Sequence, residues 1–311
     1  IAAQPDNQLA KVILGNIYVS QKSFSDALKQ FQQVTLPMLE PHAQEQALRS
    51  YYGDQSAVSA AYYNLGLLCA SRQWLTLAKD AYSTALWRTE KNPLLQFAIG
   101  KIQAQLNQSQ QATKSLETAL QLAPELALTN KMLGDLYQRQ KNFDKAIEAY
   151  QAYVKQEPDD GSVHLYLGVL YEGKRDPARA MAAYEEALRI NPNDPLALNQ
   201  LAWKFAEQKQ RLDEALQFAL KAVDLTNAPE IRDTLGWVYY QRGEYAQAIE
   251  QFQQALQQRP FQPAVTYHLG LAYYRSGDAA EARRLFEALL EVDPKHEHAA
   301  EIRQILKEIG K

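Results

Sequence analysis

The chain has 311 residues, 46% of them hydrophobic and 22% charged, with a net charge of −3. That composition belongs to a folded protein long enough for two ordinary domains or one elongated array. Charge alternates at short range without a basic block, which argues against a nucleic-acid partner, and no apolar run is long enough to span a bilayer.

The chain opens on Ile1 rather than on methionine. That leaves room for a signal segment, a propeptide or further domains, so neither a cytoplasmic nor a periplasmic location is decided here. A first helical repeat starts near residue 8 and is marked by Leu14, Gly15, Tyr18, Ala27 and Phe31. Residues 1 to 7 offer it no apolar cap, so this end is expected to continue into further chain or to self-associate with another copy. Pro37 and Pro41 interrupt its second helix. Residues 40–58 then form an insert, read either as a tolerated loop with a short helix or as a local contact site.

From there the chain keeps a period of 34, with repeats starting near 59, 93, 127, 161, 195, 229 and 263. Gly66, Gly100, Gly134, Gly168, Ala202, Gly236 and Gly270 stand in perfect register, each after a leucine or isoleucine. An alanine follows twelve residues later (Ala78, Ala112, Ala146, Ala180, Ala248, Ala282), then a large apolar residue four further on, as at Tyr150, Tyr184, Phe252 and Phe286. Prolines close the unit at Pro124, Pro158, Pro192, Pro260 and Pro294. Cys69 is the only cysteine, which excludes an intramolecular disulfide and a cysteine-based zinc site.

Within one repeat the pattern predicts helix A over 230–242, a turn at Gly243 and helix B over 244–257. The loop is so short that the two helices must be antiparallel neighbours. Gly236 is expected to face Ala248, letting the backbones approach while Tyr239 and Phe252 fill the space beside them. The sixth repeat departs: its alanine comes one place late, at Ala215, and Thr226 stands where the closing proline should be. An altered stagger between neighbouring repeats is expected there. After Pro294 a last helix is expected over 295–309, its stripe of Ala299, Ile302, Ile305, Leu306 and Ile309 sealing the final repeat. His296 and His298 at its start are read as exposed polar residues rather than metal ligands.

The small residue after leucine, the aromatic three later, the alanine–aromatic pair and the closing proline resemble the tetratricopeptide repeat. That resemblance implies an all-α fold: a right-handed superhelical solenoid of antiparallel helix pairs, running through residues 1–311 as one domain. It also implies a concave face lined by the A helices, where protein ligands bind. In the chaperone adaptors of this family, lysine, asparagine and arginine hold a C-terminal carboxylate. Here Asn16 and Asn64 fit the asparagine places, but Val12, Leu94 and Ala98 occupy cationic ones, so that clamp is not expected.

The chain has no HExxH, no glycine-rich phosphate loop and no nucleophile elbow, so no catalytic residue, metal or cofactor is expected. Function is expected on the concave face, in partner-binding residues Asn199, Gln200, Trp203, Asp233, Trp237, Tyr240, Tyr267, His268, Tyr274 and Arg275. Trp203 and Trp237 share one repeat position that the core does not require, and aromatics beside amides suit a peptide groove. The same rings could instead only fill space between A helices. Concave cations in the middle repeats (Lys101, Lys131, Arg139) against Glu207, Glu230 and Asp233 further on would orient an extended peptide. The reading is a non-catalytic scaffold for an extended or helical protein segment. Similar bacterial repeat proteins serve envelope assembly, including exopolysaccharide export and pilus biogenesis. The alternatives are a self-assembling module or a non-catalytic arm of a larger enzyme.

Overall fold

The first turn of each A helix is prepared by its sequence. Proline opens the helix at Pro93, Pro195, Pro229 and Pro263, where its fixed φ suits the helix and its missing N–H is not needed. Just before it, Asn92 and Asp194 cap with their side chains; Asp194 Oδ1 accepts from the backbone N–H groups of Leu196 and Ala197, both at 2.9 Å. The closing prolines act at the other end. Ala123, Glu157, Asn191, Arg259 and Asp293 each precede a proline and leave the helical region, at φ between −125° and −147°.

The computed structural model describes residues 14, 62, 65, 66, 69, 70, 73–89 and 91–310. The insert at 40–58, the N-terminal repeat and its open end lie outside the described residues. Two compact units divide at a closing proline, residues 1–158 and 159–311. In the first, α1 (Leu75–Thr89) is followed by two pairs, α2 (Pro93–Gln105) with α3 (Ser109–Leu122), and α4 (Ala127–Arg139) with α5 (Phe143–Gln156). The second holds the pairs α6 (Gly161–Gly173) and α7 (Pro177–Ile190), α8 (Pro195–Glu207) and α9 (Leu212–Leu225), α10 (Pro229–Gln241) and α11 (Tyr245–Gln258), and α12 (Pro263–Ser276) and α13 (Ala279–Val292), closed by α14 (Ala299–Ile309). The A helices α8, α10 and α12 also pack side by side in order. This is an α-solenoid of antiparallel helix pairs, as the period predicts.

The small residue of helix A meets first the large side chain one turn beyond the alanine of helix B. A Cβ built on Gly236 would lie 2.5 Å from a ring carbon of Phe252, and at Gly270 it would lie equally close to Phe286. Both rings are fully buried. Phe252 stands one turn beyond Ala248, and helical side chains lean back toward the N-terminus, so its ring covers the spot that residue spacing assigns to Ala248.

The sixth repeat solves the same contact differently. Its A-to-B loop spans 208–211 where neighbouring repeats use 174–176 and 242–244, and its B-to-A loop spans 226–228 where others use 191–194 and 259–262. The A helices therefore stay in register and only α9 is displaced, by one residue. Ala215, Ala219 and Ala222 are its fully buried residues. Allowing for the shift, Ala219 takes the place of Phe252, and the methyl of Ala202 fills part of the volume that a ring fills elsewhere. The loss of a loop residue also accounts for the absent proline at Thr226.

The A-to-B turns repeat one backbone geometry. Gln73, Asn107, Lys141, Arg175, Lys209, Gly243 and Gly277 all lie in the left-handed region, at φ between 53° and 93°. Each is followed by a residue whose N–H reaches back to close the helix, as Asn142 does to the Tyr137 carbonyl at 2.8 Å and Glu244 to Tyr239 at 2.9 Å. Glycine is thus the exception at a turn that its presence at Gly243 advertises. A left-handed non-glycine residue costs about 1–2 kcal/mol, against about 0.5–1 kcal/mol of chain entropy for glycine. Lys141→Gly should therefore raise stability by about 0.5–1 kcal/mol and Gly277→Ala should lower it by about 1 kcal/mol, both read as shifts of the urea midpoint. Equal and unchanged midpoints would contradict this account.

Candidate protein-binding face

The candidate residues all lie in the second unit, on α8, α10 and α12. Trp203 and Trp237 stack across neighbouring A helices, centroids 5.9 Å apart and planes 25° from parallel. Tyr240, one turn further along α10, stacks on Trp237 at 4.9 Å and 12°. His268 of α12 is buried beside both indoles, 4.6 Å from Trp237 and 5.7 Å from Trp203. Its Nδ1 donates to Asp233 Oδ1 at 2.8 Å. Five of the ten candidates thus form one half-buried aromatic stripe with a polar floor. Tyr245, at the first position of α11, extends it with a ring 5.6 Å from Tyr240. Sequence reasoning missed Tyr245 because it searched the A helices alone; Phe143 at the corresponding place in α5 is the signal that could have found it.

Two polar atoms at this stripe have no partner in the protein. The Trp237 indole N–H and Asn199 Oδ1 are both out of contact with solvent and without a hydrogen bond. A buried polar group left so costs about 1–3 kcal/mol. Gln200 is half-buried on the same helix as Asn199.

Tyr267 and Tyr274 are engaged elsewhere. Tyr267 is 4% exposed, its ring stacked on His298 at 4.2 Å and its hydroxyl donating to Glu301 at 2.8 Å. Burial first, and then the Glu301 carboxylate, hold its phenol well above the usual range. The Tyr274 hydroxyl donates to Glu308 at 2.7 Å. Both tyrosines serve the junction with α14, and Tyr267 in particular is withdrawn from a ligand.

Two expectations at that junction are corrected. Helix α14 starts at Ala299, after turns through 294–298, and not at 295. His296 is buried rather than exposed, its ring 5.7 Å from Tyr267. His298 is half-exposed. The expected acidic end of the groove also disappears as free charge. Glu207 pairs with Lys204, Glu230 with Arg259, and Asp233 with His268. Lys204 bridges Glu207 and Glu172 at 2.9 and 3.0 Å. Among the described residues no cluster of side chains could hold a metal ion, and no helix is long and apolar enough to cross a membrane.

Helix pairs of constant period, with small residues under aromatic rings, define a helical-repeat solenoid. Family models described as tetratricopeptide repeat match residues 95–126, 131–195, 183–217 and 234–297, and the chain belongs to the tetratricopeptide-repeat family. No curated relative matches it in sequence. Among solved structures it is similar to a tetratricopeptide repeat protein from Parabacteroides merdae, at TM-score 0.56 and 17% identity over 83% of this chain and 100% of that one. It is also similar to a chain of the APC/C hetero-tetramer Cut9–Hcn1, at TM-score 0.58 and 16% identity over 100% of this chain and 57% of that one. A third is PilW, a type IV pilus biogenesis factor, at TM-score 0.55 and 20% identity over 68% and 97% of the two chains. Identities this low establish the shared fold. That fold suits a scaffold for protein–protein interaction.

Proposed function

We propose that this chain is a non-catalytic scaffold that holds an extended segment of a partner protein against α8, α10 and α12. The observation that carries the reading is the half-buried aromatic stripe itself, Trp203, Trp237 and Tyr240 stacked across neighbouring A helices. The rings supply contact area with little side-chain entropy to lose. PilW's part in pilus biogenesis accords with an envelope-assembly role of the kind the repeats resemble.

The test is affinity capture from a lysate of the source organism, read by quantitative mass spectrometry, with wild type, Trp203→Ala, Trp237→Ala and Trp237→Phe. Each alanine variant should weaken a captured partner by about 1–3 kcal/mol while circular dichroism stays unchanged. Trp237→Phe keeps a ring of smaller area, so it should lose part of that affinity. A partner retained undiminished by the Trp203→Ala/Trp237→Ala double variant would place binding elsewhere and overturn the reading.

A further inference from the structure

The stripe has an apolar continuation on α6. Val169, Trp203, Trp237 and Leu271 occupy one position in four successive repeats, each 34 residues after the last. Their exposure falls along the chain. Val169 is 40% exposed, Trp203 and Trp237 are half-buried, and Leu271 is buried in the cluster that holds Ile302. In the first unit Lys101 and Asp135 hold the same position, so the apolar row begins at Val169. The row is closed at α12 and open at α6.

Two more side chains widen the open end. Tyr166 lies one turn before Val169 on α6, and Leu196 precedes Gln200 and Trp203 on one face of α8; both are exposed. Among the described residues, these three are the large apolar side chains that the A helices of the second unit expose. Other exposed ones in this unit, such as Leu220 and Val292, lie on B helices. At the open end α6 and α8 are neighbours: Lys204, next to Trp203, reaches Glu172, one turn beyond Val169, at 3.0 Å. Apolar side chains exposed together on adjoining helices mark a contact surface, where single scattered ones do not.

Charge on this face is already engaged. Lys204 holds Glu172 and Glu207, Arg259 holds Glu230, and His268 holds Asp233. Arg275 is exposed on α12, at the closed end of the row. A charged segment laid on Val169 and Leu196 would lose water without gaining a free counter-charge. An apolar one would cover carbon with carbon.

We infer that the partner segment is apolar and uncharged where it is held, anchored on Tyr166, Val169 and Leu196 and continuing over Trp203 and Trp237. This rests on the groove reading above, names the chemistry of its occupant and extends the site to α6.

The experiment is selection of a phage-displayed random peptide library on the whole chain, followed by calorimetric titration of the best synthetic peptide. Selected sequences should share closely spaced aliphatic or aromatic residues with no charge between them. Affinity should change less than about twofold between about 50 mM and about 0.5 M salt. Val169→Lys and Leu196→Lys should each weaken binding about tenfold, because each puts a charge under an apolar contact. Leu220→Lys, equally exposed on α9, should leave it unchanged. Selected peptides rich in charge, with affinity that falls steeply with salt, would overturn this inference. So would tight binding by both lysine variants when the Trp203→Ala/Trp237→Ala variant has lost the peptide, and the groove reading would then stand. Peptides that bind that double variant as tightly as wild type would overturn both. Sedimentation of the chain alone supplies the remaining outcome: a self-association that Val169→Lys abolishes would make a second copy the occupant and overturn the inference.

Discussion

Gly236→Leu should destabilise the second unit by about 3 kcal/mol, near the top of the usual range for overpacking, because the new side chain must displace a buried ring. The ring cannot yield cheaply: Phe252 is fully buried and packs among Ala255, Val265 and Leu269. Gly236→Ala is milder. Its methyl meets the same ring carbon at 2.5 Å, but alanine recovers about 1 kcal/mol of helix propensity. The sixth repeat indicates how to separate the two effects, since it pairs Ala202 with Ala219. In a Phe252→Ala background, Gly236→Ala should turn from destabilising to stabilising. Chemical denaturation of the four variants in this cycle reads the coupling directly. A coupling near zero would mean that the glycine register has some origin other than contact with the ring.

Ile302→Ala should cost about 2–5 kcal/mol, the range for truncating a buried aliphatic side chain. Ile302 is fully buried and meets Tyr267, Leu271, Phe286 and Leu289 in one cluster. Among the described residues, α14 is the helix that packs over that apolar surface. The matching control is Ile309, half-buried in the last turn, whose truncation should cost well under half as much. Thermal unfolding followed by circular dichroism, with a dye that binds exposed apolar surface, distinguishes the two. Equal losses at both positions would show that α14 is held as a loose unit rather than through the centre of its stripe.

The repeat fold was legible because its central requirement is written in residue size: a glycine or alanine lies beneath the covering side chain of helix B, and it recurs every 34 residues. The identity of the covering group was harder to read. Spacing assigns Ala248 to the place opposite Gly236, but Phe252 one turn further on leans its ring against the glycine, and spacing alone does not show that lean. The left-handed turn was legible only at Gly243 and Gly277. At Lys141 or Arg175 a polar side chain tolerates the conformation at modest cost, so composition carries no mark of it.

The candidate face was legible as a set of positions, and less so as a set of available groups. Trp203 and Trp237 were placed together by their common repeat position, and the structure stacks them. Whether a polar residue is already engaged depends on partners about one repeat away. Asp233 is taken by His268, Glu230 by Arg259 and Tyr267 by Glu301, across gaps that short-range charge patterns do not reveal.

The displaced helix α9 also bears on how such chains can be recombined. Its two loops compensate one another, so Ala202 and Gly236 remain one period apart while every residue between them on α9 is turned about 100° from its counterpart elsewhere. A crossover between two copies of this chain made within A helices would swap whole cassettes silently, with or without the sixth. A crossover made within helix B, joining α9 to any neighbour, would leave one loop a residue too long or too short. The aromatic would then be carried round to the wrong side of the helix. Gain and loss of repeats should therefore leave scars in the A helices and none in the B helices.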